Sequence, residues 1–530
     1  MGEAVFVDTK YGKLKGVLER SFEGYNYYAY KGIPYAKPPI GQLRFMDPVP
    51  LELWSGVRDA TDYGPQCCQM DSMSQSTRGE DDCLYLNIFV KTIKPDLKLP
   101  VMVWIHGGGF VVGSGGGLLY GPDYFLKKDI VLVTINYRLG VLGFLNFDDE
   151  VAPGNQGLKD QVAALRWVKE NITNFSGDPN NVTIFGESAG GASVHYLTLS
   201  PLAKGLFHKA ISQSGVACNS WACSATKYSS YKLCEVLGNN SKDPKVLVEF
   251  LRTIDCQKLV EAQQVIHKSC PKFHDIIPFG PTVDSKSIEP FLSIPVSEAM
   301  ESGAHVPYML GCNSREGIFH LLGLKQKDYD TLNNEFDKSL GPRVQELLRK
   351  NNITPNQLKN LYFDHKYITE KDTDKVVDLM GDLSFVEGIH RIVKCQVKYN
   401  SAPTYFYRFT YDKESSIIKL WSDTTMSGTS HFDEVQYLFS MQIYDILNIE
   451  RPKPGSISYK IIEQMIELWV NFAKYGRPTP EVSDLIPTYW LPVTDDKIFR
   501  ALNINENLRM EYIVPLEEQL SLGKYMKNKL

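Results

Sequence analysis

The segment NVTIF-GESAGG-ASVHYLTLS (residues 181–200) constrains this chain more than any other. A run rich in β-branched and aromatic residues ends at Phe185, and a helical pattern begins a few residues later. The backbone must therefore turn from strand to helix within about five residues. Gly186 and Gly190 remove the Cβ atoms that would collide in so tight a turn. Ser188 is left on the corner, its hydroxyl exposed above the end of the strand. The free N–H groups and positive dipole end of the following helix lie beneath it. Strand, G-x-S-x-G and helix in this order are the context of an activated serine nucleophile.

A second element fits the first. His106-Gly107-Gly108-Gly109-Phe110 follows directly on PVMVWI (Pro100–Ile105), which reads as a buried strand. When a serine attacks an ester carbonyl, the tetrahedral oxyanion needs N–H donors at about 2.7–3.1 Å. A glycine loop upstream of the elbow lets the backbone come close enough to supply them. A side chain at Gly109 is expected to damage that hole. The GSGGG run at Gly113–Gly117 reads as a simple turn.

Serine needs a base, and the base needs a carboxylate to orient it. In the order serine, acid, histidine, the candidate bases are His320, His365, His390 and His431. His390 sits in an apolar helical pattern and reads as structural. His320 stands four residues after Glu316 and is expected on the helix that follows it. His431 lies in SGTSHFDEVQYLF, a loop before an apolar helix start. For the acid, Glu316 follows the strand VPYMLG (Val306–Gly311), and spacing alone does not separate it from Asp284.

The rest of the chain supplies the frame. DIVLVTINY (Asp129–Tyr137), NVTIF and TYFYRFTY (Thr404–Tyr411) are further continuous apolar runs, suited to the interior of a parallel sheet. Residues 157–174 carry apolar positions at helical spacing. Ile457–Tyr475 reads as a helix stopped by Gly476, with Pro478 beyond it. Strands alternating with helices predict an α/β fold, a large, mostly parallel sheet covered on both faces. One domain spanning 1–530 is expected, with helix-rich insertions around 225–400. Hydrophobic residues at 43% and charged residues at 22% exclude disordered and fibrous classes. A net charge of −5 without a dense basic run argues against a nucleic-acid partner. The most apolar stretch, Ile130–Leu145, is interrupted by Asn136 and Arg138, so no membrane span is expected.

The N-terminal residues show no basic and apolar leader, and Phe6 stands where a myristoylation signal needs Ser or Thr. The final YMKNKL is no retention signal. A cytoplasmic location is therefore expected, or an extracellular one if a leader was removed. The sequons at Asn171, Asn174, Asn181, Asn239 and Asn352 are expected to be silent. Ten cysteines are too few for a disulfide scaffold.

At this point the chain resembles the type B carboxylesterases. The likeness runs through YAYKGIPYAKPP, Leu43–Phe45, DCLYLNIF (Asp82–Phe89), HGGGF, NYRLGVLGF (Asn136–Phe144), GNQGLKDQVAALRWV, GESAGG, Arg315–Gly317 and GTSH (Gly428–His431). It is most similar to intracellular insect members. The resemblance implies an α/β-hydrolase fold and ester hydrolysis without a cofactor, acting on small-molecule esters. It implies Ser188 as nucleophile, Glu316 as acid and His431 as base. It implies an oxyanion hole from the N–H groups of Gly108, Gly109 and Ala189, and Trp221 lining the acyl side of the pocket. Arg138 and Asp160 match a structural ion pair. Cys68, or Cys67, and Cys83 match a family disulfide, which a reducing cytosol would keep open. The acid before that cysteine is Asp81 rather than Glu, which leaves its usual arginine partner in question. The loop between the cysteines has no tryptophan, which argues against a choline ester. GESAG departs from the GQSAG of juvenile-hormone esterases. A detoxifying or metabolic esterase inhibited by organophosphates is the leading expectation. The alternatives are slow-turnover sequestration of the same compounds, or a noncatalytic partner-binding role.

Overall fold

The computed structural model describes residues 3–521 apart from 72–73, 225–226, 271–272, 274–275, 365, 400–401 and 415. His365, Met1-Gly2 and the C-terminal YMKNKL lie outside the described residues.

Thirteen strands form one sheet. In chain order they are β1 (Ala4–Asp8), β2 (Lys13–Arg20), β3 (Asn26–Pro34), β4 (Val57–Asp59), β5 (Tyr85–Val90), β6 (Leu99–Ile105), β7 (Val131–Ile135), β8 (Gly177–Glu187), β9 (Lys209–Gln213), β10 (Tyr308–Asn313), β11 (Thr404–Phe409), β12 (Phe499–Ile504) and β13 (Arg509–Ile513). They lie side by side as β1-β2-β3-β5-β7-β6-β8-β9-β10-β11-β12-β13, with β4 paired to β2. From β7 to β12 every pairing is parallel. Antiparallel pairs flank this centre on both sides. The runs that read as continuous apolar strands are these central ones. All five residues of β7 are buried, as a strand covered on both faces requires.

The elements that matter for the site are α1 (Gln156–Asn171), α2 (Ala189–Leu199), α3 (Cys256–Ser269), α4 (Glu387–Tyr399) and α5 (Ile457–Tyr475). Helix α5 ends where the sequence predicts, with Gly476 left-handed at φ +71° as its cap. β10 begins two residues later than VPYMLG suggests. Pro307 has no N–H to give to the ladder, so pairing starts at Tyr308. One core lies on the face covered by α1, α2 and α3, and a second on the face covered by α5.

Arg138 and Asp160 form the expected buried pair. Arg138 Nε donates to Asp160 Oδ2 at 2.8 Å and Nη2 to Oδ1 at 2.6 Å, while Nη1 donates to the Met46 carbonyl. This ties the segment after β7 to α1. Arg44 binds Asp81, so the acid keeps its arginine partner despite the shorter side chain.

One open choice is settled and one expectation needs correction. Of the two candidates, Cys67 is the one bridged to Cys83, and Cys68 is a buried free thiol. The GSGGG run is not a loose turn. A Cβ at Gly113 would stand 2.4 Å from His106 Nδ1, and one at Gly115 would stand 2.9 Å from the Ile135 amide. Both glycines are close-packing positions, Gly113 against His106 just after β6 and Gly115 against the end of β7.

Candidate active site

The C-terminal ends of β6, β8, β9 and β10 converge on one point, where open α/β sheets bind ligands. β8 runs into the elbow, and Ser188 is the residue before the first turn of α2. Its backbone is held at φ 57°, ψ −123°, a strained conformation for a residue with a side chain. The strain is about 1–3 kcal/mol. Close packing around the turn opposes its relaxation. The Ser188 N–H donates to Gln213 O at 2.8 Å. A Cβ at Gly190 would lie 1.9 Å from Ile105 O, and one at Gly215 would lie 2.0 Å from Ser188 O. Any side chain at these glycines would push the corner open. Ser188 itself is partly exposed.

The glycine loop packs on the same corner. A Cβ at Gly107 would stand 3.1 Å from Ser188 Cβ, so the loop backbone lies directly against the nucleophile. His106 fixes the loop from below. It stacks on Tyr137, its Nδ1 pairs with Gly107 O at 2.8 Å, and burial pulls its pKa down to about 4, leaving the ring neutral. Among the described residues, the N–H groups of Gly108, Gly109 and Ala189 donate to no carbonyl or side chain, whereas those of Val111, Val112 and Gly140 are all used. Free, rigidly held donors are what an oxyanion needs.

The two glycines are not equivalent. A Cβ at Gly108 would meet Val112 O at 2.1 Å. At Gly109 the nearest atoms are Ile277 Cδ1 at 3.6 Å and Val111 Cγ2 at 3.8 Å, ordinary contacts. The protein itself closes off a side chain at Gly108, whereas at Gly109, left-handed at φ +60°, a side chain would stand in open space where the substrate carbonyl must approach. Gly108→Ala and Gly109→Ala should each lower kcat for p-nitrophenyl butyrate by about 100-fold or more, and Gly108→Ala should also lower the thermal midpoint. Unchanged ester turnover in either variant would remove that glycine from the hole.

Glu316 and His431 come together. His431 Nδ1 lies 2.7 Å from Glu316 Oε2. The other oxygen, Oε1, accepts from Ser214 Oγ and from the Asn313 N–H, each at 2.6 Å. All of Glu316's polar partners come from the ends of β9 and β10 and from the His431 loop. Asp284, the rival acid, is spent on the Phe291 and Leu292 N–H groups. His390 is buried in α4 and accepts from the Leu516 N–H, as a structural histidine should. His320 sits on the same short turn as Glu316 (Glu316–Leu321), with its ring 6.0 Å from that of Phe385.

The sequence reading missed Glu187, the middle residue between Gly186 and Ser188. His431 Nε2 lies 3.1 Å from Glu187 Oε1. The free imidazole nitrogen thus faces the elbow, while Ser188 Oγ makes no hydrogen bond among the described residues. Such bonds are often formed only with substrate in place. Glu187 is fully enclosed, and burial drives its carboxyl well above the usual range. Burial pulls the His431 pKa down, but Glu187, Glu316 and Glu434 outweigh it and leave it raised, to about 9. A base must be neutral to accept a proton, so activity appears as pH rises through this pKa, above the ordinary value of 6.5. Glu187→Gln removes one of the raising charges. The acid limb of kcat/KM should move to lower pH, by about one unit. An unmoved limb, or one moved upward, would remove Glu187 from this role.

Aromatic rings roof the base. The Phe385 ring centroid is 4.3 Å from that of His431, and Phe319 is at 5.3 Å. Phe385 lies on a π-helical turn, residues 382–386, just before α4. Trp221 stands one ring further out, 5.9 Å from Phe385 and 6.4 Å from Phe110. Its Nε1 donates to the Ser384 carbonyl at 2.9 Å, and Asn219 donates to the Phe385 carbonyl at 2.9 Å. Trp221 therefore also holds the turn that presents Phe385 to His431.

Comparison with known proteins gives the family and the fold. The model of the carboxylesterase family matches residues 3–520. A juvenile hormone esterase of Tribolium castaneum is 37% identical, over 89% of this chain and 84% of its own length. Esterase FE4 of Myzus persicae is 35% identical, over 94% of this chain and 89% of its own. The crystal structure of juvenile hormone esterase from Manduca sexta, with OTFP covalently attached, superposes with a TM-score of 0.84 at 28% identity, covering 98% of this chain and 99% of that one.

Proposed function

The chain belongs to the carboxylesterase family and is a carboxylic ester hydrolase; from that premise we propose that it cleaves small-molecule esters through an acyl-enzyme on Ser188. The observation that carries this reading is the bond between His431 Nδ1 and Glu316, which leaves Nε2 turned toward the elbow. Nε2 leaves Glu187 and takes the Ser188 proton as Oγ attacks the carbonyl carbon. The oxyanion is received by the N–H groups of Gly108, Gly109 and Ala189. Collapse breaks the ester C–O bond, and the imidazolium returns its proton to the leaving alcohol. Water, activated by the same nitrogen, then releases the acid and restores Ser188.

Phe385 and Trp221 form the wall nearest the base, and the acyl group packs against them. An organophosphate phosphorylates Ser188 by the same attack and leaves slowly, which suits a detoxifying esterase. The GESAG elbow favours a general esterase over a juvenile-hormone-specific one. The Cys67–Cys83 bridge favours an oxidising compartment over the cytoplasmic one expected from the N-terminal residues, because cytosolic thiol buffers keep such pairs reduced.

Pre-steady-state hydrolysis of p-nitrophenyl butyrate tests the proposal. A burst followed by steady turnover is expected. A burst of one equivalent with almost no turnover would make the chain a sequestering protein, and no burst, with Ser188→Ala indistinguishable from the wild type, would leave Ser188 without a covalent role.

A further inference from the structure

His106 carries a nitrogen that the fold leaves idle. The residue is fully enclosed, its Nδ1 is bonded to Gly107 O at 2.8 Å, and its Nε2 has no hydrogen-bond partner among the described residues. An orphaned nitrogen in the interior is costly and calls for a reason. An apolar side chain of similar size would fill the space without that cost. What it would lose is the proton on Nδ1. A carbonyl oxygen has no proton to give, so the ring is the donor in the bond to Gly107 O.

That bond is held in place. The ring stacks on Tyr137 with centroids 4.4 Å apart, and the Tyr137 hydroxyl donates to His106 O at 2.9 Å. Gly113 lies over the bond itself: a Cβ there would stand 2.4 Å from Nδ1 and 2.6 Å from Gly107 O. Gln69 fixes Gly113 in turn, donating to its carbonyl at 2.9 Å and accepting from its N–H at 2.7 Å. Gln69 stands two residues after bridged Cys67 and also donates to the Cys67 carbonyl at 2.9 Å. These contacts oppose any turn of the ring.

The Gly107 carbonyl and the Gly108 N–H are the two ends of one peptide group. A hydrogen bond accepted by the carbonyl draws electrons toward its oxygen and leaves the N–H a stronger donor. It also fixes the plane of the peptide, and with it the direction of the N–H. We propose that His106 is a positioning residue for the oxyanion hole, whose Nδ1–H bond to Gly107 O aims and polarises the Gly108 N–H. A neutral ester carbonyl gains little from this, and the tetrahedral oxyanion gains most, so the effect falls on kcat rather than KM. The inference rests on the acyl-enzyme reading above, with Gly108 as one of the donors.

Two variants of nearly equal size isolate the proton. In His106→Asn the amide nitrogen stands where Nδ1 stood and donates in its place. In His106→Leu a methyl group stands there. Both lose the stack on Tyr137 alike. The kcat for p-nitrophenyl butyrate should be about tenfold lower in His106→Leu than in His106→Asn, because weakening one donor costs less than removing it. KM should be alike in the two. Octyl trifluoromethyl ketone, which adds to the serine and leaves an oxyanion in the hole, should bind His106→Leu more weakly by the same factor. His106→Phe keeps a ring against Tyr137 and drops the proton, so it should lose kcat and ketone affinity as leucine does, and it decides the question if the smaller variants do not fold. Equal kcat and ketone affinity in the asparagine and leucine variants, or a phenylalanine variant that matches the wild type, would overturn the proposal while a wild-type burst leaves the acyl-enzyme reading standing. A wild type with neither burst nor ketone adduct would overturn that reading and this inference with it.

Discussion

Ser188→Ala should lower kcat for p-nitrophenyl butyrate by about 10⁶-fold, the scale seen when a triad nucleophile is lost. Ser188 stands at φ 57°, a conformation alanine tolerates no worse than serine, and alanine fits the space a serine leaves, so the thermal midpoint should stay within a degree or two. The oxyanion donors remain, so residual hydrolysis about 10³-fold over water is expected, without a burst. Steady-state and burst kinetics on the purified variant check both parts. Turnover within about tenfold of wild type would mean that another group carries the acyl chain.

Glu316→Gln should cost about 10⁴-fold in kcat, and the hydrogen bonds give the reason. Glu316 Oε1 accepts two donors, Ser214 Oγ and the Asn313 N–H, while Oε2 faces His431 Nδ1. A glutamine has one carbonyl oxygen to give. Two fixed donors outbid one rotatable ring, so the oxygen stays on Ser214 and Asn313, and the amide NH₂ faces Nδ1. The imidazole must then carry its proton on Nε2, the nitrogen that has to accept from Ser188. The fold and KM should change little. A loss smaller than about tenfold would mean that Glu316 does not set the tautomer.

Much of the site could be read from residues close together in the chain. The elbow was legible because one short segment holds strand, glycines, serine and helix, and the structure puts Ser188 at the corner between β8 and α2. The helix at Ile457–Tyr475 was legible from its period and its Gly476 stop. What remained hidden depends on parity or on distant partners. Cys67 and Cys68 are adjacent in an extended segment, so their side chains face opposite ways. Nothing local shows that Cys67, and not Cys68, points to Cys83. Glu187 is the free position of G-x-S-x-G, and its contact with His431 spans most of the sheet's later half. Ser214 and Asn313 are ordinary strand-end residues until the fold brings Glu316 between them. Gly113 and Gly115 look like flexible punctuation and are instead packing contacts.

The central claim is that Ser188 forms the covalent bond, and trapping it is the most direct measurement. The protein is incubated with diethyl p-nitrophenyl phosphate, and the modified residue is located by peptide mass spectrometry, with Ser188→Ala alongside. One diethylphosphoryl group on Ser188, appearing in step with one equivalent of p-nitrophenol and with loss of esterase activity, is the predicted result. An adduct on a different residue, or equal labelling of Ser188→Ala, would contradict it.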